Sequence, residues 1–225
     1  MIAFLNKIRT YRWRWIGRRK IKSAVNSCLE KGKPLKIILG ASDDRYDGWI
    51  PTDIPHFDAS NSADWARFFP LNSIDNLLAE HVYEHLTLAE TKKSFLLMKN
   101  YLKPGAVFRI AVPDGYHASS DYVDYVKPGT TYSGWENHQL LWNKDMLSEV
   151  AAECGYEATF LQYYDSNRQF TDTYVDDENG VIARTFEKLK NDKSRPYTYT
   201  SLIADLRISP PSRTGSANLQ DKRNA

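Results

Sequence analysis

Short apolar runs, separated by turn residues and by amphipathic stretches, recur along most of the chain. The first, Leu35 to Leu39, is stopped by Gly40, and the second, Trp49 to Ile54, lies between Gly48 and Pro55. Runs of this length between glycine and proline are typical of buried β-strands. The predicted strands are 35–39, 49–54, 74–79, 106–112, 159–164 and 199–208.

Two stretches show the apolar spacing of helices. Thr87 and Glu90 form a capping-box pattern, and the helix that follows is expected to stop at the turn 103–105. Asn143 can cap a second helix, which Gly155 closes in the position after the C-cap. Their apolar faces are Phe95, Met98 and Leu102 in the first, and Met146, Leu147, Val150, Ala151 and Cys154 in the second.

The order of strands and helices predicts an α/β fold. Nearly continuous apolar strands that alternate with amphipathic helices favour a Rossmann-like, mostly parallel sheet with helices on both faces. One antiparallel strand is expected near the C-terminus. We expect a basic helical arm over 1–30, the Rossmann-like domain over 31–208 and a disordered polar tail over 209–225.

Charge is distributed unevenly. Eight basic residues precede the first acidic residue, Glu30, whereas the rest of the chain carries 22 basic and 28 acidic residues. Ile2, Leu5 and Ile8 recur among the cations at helical spacing, which predicts a basic amphipathic helix rather than a secretory signal. Such a helix could pack on the domain, lie on an anionic membrane surface or contact nucleic acid.

The remaining composition narrows the class of protein. The 225 residues are 42% hydrophobic, which is enough for one buried core, and no apolar run approaches the length of a membrane span. Two cysteines cannot form a disulfide framework or a cysteine-rich zinc site. We therefore expect a cytoplasmic protein, with possible peripheral contact to the inner membrane.

Polar residues follow the predicted strands, where ligands bind in open α/β sheets. The groups are 40–43 after the first strand, Asp53 at the second, Glu80 and His81 after the third, and Asp114 after the fourth. Gly40 would allow a ligand to approach the backbone, and the Asp53 carboxylate could accept both hydroxyl hydrogens of a ribose. A nucleoside-type ligand is therefore a reasonable hypothesis.

Three segments resemble the class I S-adenosylmethionine-dependent methyltransferases of the bacterial, predicted methyltransferase-domain type. They are 38–54, with its glycine turn and Asp53; 79–86, Ala-Glu-His-Val-Tyr-Glu-His-Leu; and 102–114, with a Leu-Lys-Pro-Gly turn and a strand that ends in Pro-Asp. The strand Thr200 to Asp205 is similar to the closing strand of that group. The resemblance covers most of the chain.

The resemblance implies S-adenosylmethionine as cofactor and methyl transfer to an oxygen or nitrogen acceptor as activity. It places Leu39, Gly40, Ala41 and Ser42 at the methionine part of the cofactor. It places Asp53, followed by Ile54, at the ribose, and Glu80 with His81 at the sulfonium end. Related proteins suggest a small or medium-sized acceptor, with a sugar or glycolipid favoured.

Two features depart from the family pattern. Ser42 stands where the family has a second glycine, and only nine residues separate Leu39 from Trp49. A helical crossover between parallel strands normally needs about a dozen. We expect either a first helix reduced to a turn or a remodelled cofactor loop.

The segment His81-Val82-Tyr83-Glu84-His85 also matches H-x-x-E-H, an inverted zinc-protease pattern. That motif belongs inside a helix, whereas His81 directly follows a predicted strand. We therefore expect a polar cluster that faces a cofactor pocket, and no metal.

A general base for an acceptor that loses a proton is expected among His81, Asp114 and His138. The aromatic residues Tyr116, Tyr122, Tyr125, Tyr132, Trp135 and Trp142 could contact a sugar ring or a base. Two other functions stay open: a non-catalytic scaffold with this fold, recruited by its basic arm, and a nucleic-acid methyltransferase.

Overall fold

A computed structural model describes residues 2–42, 44–132, 137–192 and 199–210 of the chain, with the backbone alone over 2–15. The helices are α1 (Ile2–Glu30), α2 (Ser62–Phe68), α3 (Leu88–Met98), α4 (Ser120–Val126), α5 (Lys144–Glu153) and α6 (Phe186–Leu189), with a 3-10 helix at Tyr83–His85. The strands are β1 (Lys36–Leu39), β2 (Trp49–Pro51), β3 (Ile74–Glu80), β4 (Leu102–Pro113), β5 (Tyr156–Tyr164), β6 (Phe170–Asp172) and β7 (Ser201–Ile208). The predicted tail lies outside the described residues from position 211 onward.

One sheet of seven strands, in the order β2-β1-β3-β4-β7-β5-β6, organises the described chain. Strands β2, β1, β3 and β4 are mutually parallel. Strand β7 lies antiparallel between β4 and β5, and β6 closes the edge as an antiparallel partner of β5. The predicted Rossmann-like, mostly parallel sheet with an antiparallel strand near the C-terminus is confirmed.

Helices cover one face of this sheet, called here the helical face. Successive side chains of a strand point to opposite faces, and Ile37, Leu77 and Phe108 point toward the helices. The helices contribute the buried side chains Ile21 and Val25 from α1, Trp65 and Phe68 from α2, Phe95 and Met98 from α3, and Leu147 and Val150 from α5. This face holds most of the apolar core.

Residues 174–189, called here the covering segment, pack on the opposite face. Ile182 contacts a small apolar cluster there that includes Ile38, Leu78 and Ile203. Apart from the short helix α6, the covering segment has irregular backbone. A late part of the chain therefore covers a face on which the short β1–β2 connection places no helix.

A buried arginine fixes the covering segment to the sheet. Arg109, in the centre of β4, is 1% exposed and donates to both carboxylate oxygens of Asp205 on the neighbouring strand β7, at 2.8 and 3.0 Å. It also donates to both oxygens of Asp177, at 2.7 and 3.2 Å, and to the carbonyl of Gly180 at 2.7 Å. All five guanidinium hydrogens are used, so the segment is held by a charged clamp rather than by apolar packing alone.

The predicted end of helix α3 was wrong. The helix ends at Met98, and Leu102 pairs with Ile74 as the first residue of β4 instead of extending the apolar face of helix α3. The register then shifts, so that Asn76 pairs with Val107 and the turn at Pro104 and Gly105 is accommodated as an irregularity within the strand. The predicted capping box at Thr87 and Glu90 is confirmed.

Helix α1 is part of the core as well as a basic arm. Ile21 is 6% exposed and Val25 is fully buried, and Arg18 donates to Asp64 Oδ1 at 3.0 Å. The second half of α1 is therefore anchored on α2 and on the sheet. Every helix in the described part of the chain is too short or too polar to span a bilayer.

Candidate functional site

A groove of about 680 Å³ lies between helix α1 and the carboxyl ends of β1 and β2. It is called here the α1–β2 groove. Its size is in the range of small-molecule sites. The lining residues are Ile16, Gly17, Lys20, Ile21 and Ala24 from α1; Ala41, Ser42 and Arg45 after β1; and Ile50, Pro51, Thr52, Asp53, Ile54 and His56 around β2.

Asp53 lies on the wall of the α1–β2 groove with its carboxylate held by backbone. Its Oδ2 accepts a hydrogen bond from the Ser42 amide at 2.9 Å, and its Oδ1 accepts from the Ile54 amide at 2.7 Å. A carboxylate has about four acceptor positions. Two positions are therefore used to fix the side chain, and two remain for a ligand.

Ser42 has a left-handed backbone conformation, with φ of 44°. Residues with a side chain adopt this region at a cost, whereas glycine adopts it freely. Ser42 therefore has a backbone conformation that a glycine would adopt without strain. The turn still directs the Ser42 amide toward Asp53.

The connection between β1 and β2 has no helix in its described residues. Thr52 donates from its amide to Ile38 and accepts from the Ala41 amide, at 2.8 and 2.9 Å, so the two strand ends stay in contact. Of the two alternatives expected from the sequence, a first helix reduced to a turn or a remodelled cofactor loop, the described residues of this connection agree with the first.

Leu39 and Gly40 contact the protein interior rather than the groove. Leu39 is 1% exposed and belongs to the core. Gly40 has φ of 60°, and a Cβ atom placed on it would lie 2.5 Å from Cγ2 of Val82. The narrow space between the ends of β1 and β3 is thus filled by the Val82 side chain.

Glu80 and His81 bind other parts of the chain. The two Glu80 carboxylate oxygens accept from the amides of Ala183 and Arg184, at 2.9 and 2.8 Å. His81, with φ of 56°, places Nε2 3.0 Å from Ser201 Oγ and Nδ1 2.9 Å from Glu84 Oε1. In this structure both side chains hold the end of β3 against the covering segment and β7, and their predicted cofactor contacts and the catalytic role of His81 stay predictions.

Glu84 is a completely buried carboxylate in the 3-10 helix, beside His81, His85 and His138. Burial alone would raise its pKa, but its contacts with His81, its own backbone amide and His85 together outweigh burial, and the pKa of Glu84 lies below its ordinary value. Glu84 is therefore ionised at neutral pH.

His138 is 3% exposed and packs against His85, with ring centroids 4.8 Å apart. Its Nδ1 is 2.7 Å from the carbonyl oxygen of Val126, and burial lowers its pKa. The ring is therefore neutral at physiological pH, which a general base requires. Its predicted catalytic role stays a prediction.

Asp114 is fully buried at the end of β4. Its Oδ1 accepts from the Tyr116 amide at 2.9 Å and its Oδ2 from the Tyr164 amide at 2.7 Å. Burial raises its pKa to about 6, although the two amides oppose the shift. The carboxylate thus ties the β4 end to β5, and its predicted role as a base stays a prediction.

The aromatic residues proposed as acceptor contacts separate into two groups. Tyr122 and Trp142 are completely buried. Tyr116 donates its hydroxyl to Asp145 at 2.9 Å, and Tyr132, which is 53% exposed, lies beside Tyr125. Trp135 lies outside the described residues.

The structure therefore unites part of the predicted cofactor site. Ala41, Ser42, Asp53 and Ile54 meet on the α1–β2 groove. The sequence did not indicate that α1 lines this groove, because the residues that follow the strands carry no information about which helix packs beside β2. Lys20 and Arg45 also line the groove. In the sequence they were only two of many basic residues, and nothing marked them as ligand contacts.

No protein-family model matches the chain, and a comparison with curated proteins found no match. Among solved structures, a methyltransferase from Thermotoga maritima, described as S-adenosylmethionine-dependent and a possible histamine N-methyltransferase, has a TM-score of 0.46 and 12% identity. The alignment covers 91% of this chain and 98% of that one.

Two further similar structures are S-adenosylmethionine-dependent methyltransferases from archaea. The Archaeoglobus fulgidus protein has a TM-score of 0.43 and 12% identity, over 84% of this chain and 92% of that one. The Methanosarcina mazei protein has a TM-score of 0.42 and 10% identity, over 75% and 71%. At such identities the function has to come from the residues of the α1–β2 groove.

Proposed function

We propose that the protein is an S-adenosylmethionine-dependent methyltransferase that binds its cofactor in the α1–β2 groove. One observation carries the proposal: the Asp53 carboxylate lies at the end of β2 on the groove wall, fixed by the Ser42 and Ile54 amides. A carboxylate with free acceptor positions at this point of an α/β sheet suits the two hydroxyls of a ribose.

The other groove residues fit the remaining parts of the cofactor. Ile50 and Ile54 offer apolar surface to an adenine ring, and Lys20 and Arg45 offer cations to the carboxylate of the methionine part. Glu80 fits less well, since the covering segment binds both of its oxygens. The donor set supports a nucleoside with an anionic group as ligand.

The chain's own contribution to the reaction is positioning and proton removal. When bound, the cofactor would supply a methyl group on a positively charged sulfonium for transfer to the acceptor nucleophile. The protein holds both partners in line. A proton lost by the acceptor would go to a base, and His81, Asp114 and His138 are the three candidates.

We propose a small or medium-sized acceptor with an oxygen or nitrogen nucleophile, and favour a sugar or glycolipid. The basic residues of α1 would help the protein bind an anionic membrane surface, since each cation near such a surface contributes about 1 kcal/mol to the binding free energy. A nucleic-acid acceptor would also use these cations. Strong salt dependence of RNA or DNA binding would favour that alternative.

Isothermal titration of the full chain with S-adenosylmethionine and S-adenosylhomocysteine, after treatment with a chelator, tests the proposal. Micromolar binding is expected. Asp53→Ala should weaken it at least about tenfold, because two hydrogen bonds to a charged acceptor are lost. Asp47→Ala removes a carboxylate from the same connection outside the groove and serves as the matched control.

Asp53→Asn separates a ligand contact from a folding effect, because it keeps one oxygen to accept an amide. Thermal unfolding of each variant shows whether the fold is intact. If the wild-type chain binds neither compound, the methyltransferase proposal fails and a scaffold function gains support. Equal affinities of wild type and Asp53→Ala would remove the ribose assignment.

A further inference from the structure

Glu84, His85 and His138 form a compact group of potential metal ligands, called here the Glu84 cluster. One ligand atom from each residue lies within 4.8 Å of the other two. Glu84 and His85 come from the 3-10 helix after β3, and His138 comes from the stretch before α5. Residues distant in sequence thus converge at one point beside the carboxyl end of β3.

The backbone holds the two parts of the Glu84 cluster together. The carbonyl oxygen of Glu84 accepts hydrogen bonds from the amides of Gln139 at 2.6 Å and Leu140 at 3.1 Å. These two bonds fix the residue next to His138 against the 3-10 helix. The convergence is therefore built into the main chain and does not depend on side-chain rotamers alone.

His138 has the outer hydrogen bond that is typical of a metal-binding histidine. Its Nδ1–H donates to the Val126 carbonyl oxygen at 2.7 Å, because a carbonyl oxygen can only accept, and Nε2 is therefore the ring atom that would bind a metal. In metal sites such a bond to a backbone carbonyl fixes the ring and its tautomer. The Val126 carbonyl performs that function here.

Glu84 supplies a second, independent indication. Its side chain is completely buried beside His81, whose Nδ1 lies 2.9 Å from Glu84 Oε1, and Oε2 accepts no hydrogen bond from another described residue. Burying a negative charge is costly unless the charge is paired, and a bound cation would stabilise this carboxylate further.

We propose that the Glu84 cluster binds one divalent transition-metal cation of the zinc type. Two imidazoles and one carboxylate are an established donor set for zinc, with a fourth position left for water. Bonds of about 2.1 Å place tetrahedral ligands roughly 3.4 Å apart, so small side-chain movements suffice. His85 is only partly buried and gives the cation a route inward.

The site differs from the inverted zinc-protease pattern and from the sequence expectation of no metal. The first histidine of that pattern, His81, turns toward Ser201, and His138 occupies the third ligand position instead. The test of metal binding does not depend on cofactor binding, but a cation held by His138 would leave His81 and Asp114 as the candidate bases.

Calorimetric titration of chelator-treated full-length protein with Zn²⁺ tests the proposal, with Co²⁺ absorption as a second measurement. One Zn²⁺ per chain is expected, and Co²⁺ should give the visible bands of a four-coordinate nitrogen and oxygen site. His85→Gln should reduce Zn²⁺ affinity at least about 100-fold, because losing even an outer partner of a metal ligand costs about 10–100-fold. His117→Gln, at a histidine that accepts from the Ser119 amide, should leave affinity unchanged.

Glu84→Gln gives a second variant in which shape is kept and charge is removed, and it should lose Zn²⁺ affinity to a similar degree. Three results would overturn the proposal. They are no stoichiometric binding by the wild-type chain, equal affinity in wild type and His85→Gln, or a cobalt–thiolate band, which would place the metal on Cys28 or Cys154.

Discussion

Arg109→Met should destabilise the fold more than most single substitutions. The change removes five hydrogen bonds and leaves Asp205, whose side chain is 6% exposed, without its cationic partner. Breaking a buried pair by removing one member costs about 3–5 kcal/mol. Methionine keeps much of the volume, so the loss would come from charge and not from a cavity.

Urea unfolding followed by circular dichroism measures the change in the free energy of unfolding. Lys103→Met is the control, because it breaks an ion pair with Asp75 in which both side chains are substantially exposed, and should cost about 0–1 kcal/mol. The double variant Arg109→Met, Asp205→Leu should recover most of the loss, since apolar replacement of a whole buried pair is often neutral. Asp177, with a side chain 31% exposed, then turns to solvent.

Acid provides a further measurement on the same clamp. Burial alone would raise the pKa of Asp177, but Arg109 outweighs it and the folded-state pKa lies below the ordinary 3.8. The stability from this pair is therefore present above about pH 4 and is lost as pH falls through the folded-state pKa.

Two results of the urea experiment would refute the reasoning. The first is a loss of unfolding free energy in Arg109→Met no larger than in Lys103→Met. The second is a double variant whose loss equals the sum of the losses of its single variants.

Two further predictions concern the strand ends. Gly40→Ala should lower the free energy of unfolding, measured with urea, by at least about 2 kcal/mol, because of the left-handed backbone and the overlap with Val82. Adding Val82→Ala should restore only the part of the loss that comes from the overlap. Full recovery in the double variant would contradict the backbone contribution. Burial raises the pKa of Asp114 from 3.8 to about 6, so the folded state favours the protonated side chain. The contribution of Asp114 to the stability of the fold is therefore complete below pH 3.8 and is lost as pH rises through 6. Asp114→Asn should remove this dependence, worth roughly 3 kcal/mol, and parallel stability curves for variant and wild type between pH 4 and 7 would count against it.

The strands and the best-capped helices were predictable because their signals are local. Asn143 accepts from the Met146 amide at the start of α5, and Gly155 follows the C-cap of α5 with φ of 76°, as the sequence indicates. Helices α2 and α4 were missed, although Asn61 and Ser119 cap them. These helices have only seven residues, too few for an apolar period to be visible.

The candidate site was only partly predictable, because its geometry depends on contacts between distant residues. Because each follows a strand, the sequence placed Ser42 and Asp53 in one candidate ligand site, and in the structure the Ser42 amide donates to Asp53. It gave no sign that Glu80 would bind the amides of residues 183 and 184. The interruption of the β4 run by Arg109 was visible in the sequence, but its partners lie 68 and 96 positions away, beyond any local pattern.

The distance between Arg109 and its partners also sets an order of events during protein synthesis. At about 5–20 residues per second, the ribosome needs roughly 5–20 s to proceed from Arg109 to Asp205, which follows 96 positions later. During that interval the nascent parallel strands carry an unneutralised guanidinium and lack the residues that will cover one face. The guanidinium of Arg109 can therefore be paired in the sheet only after Asp205 has been synthesised.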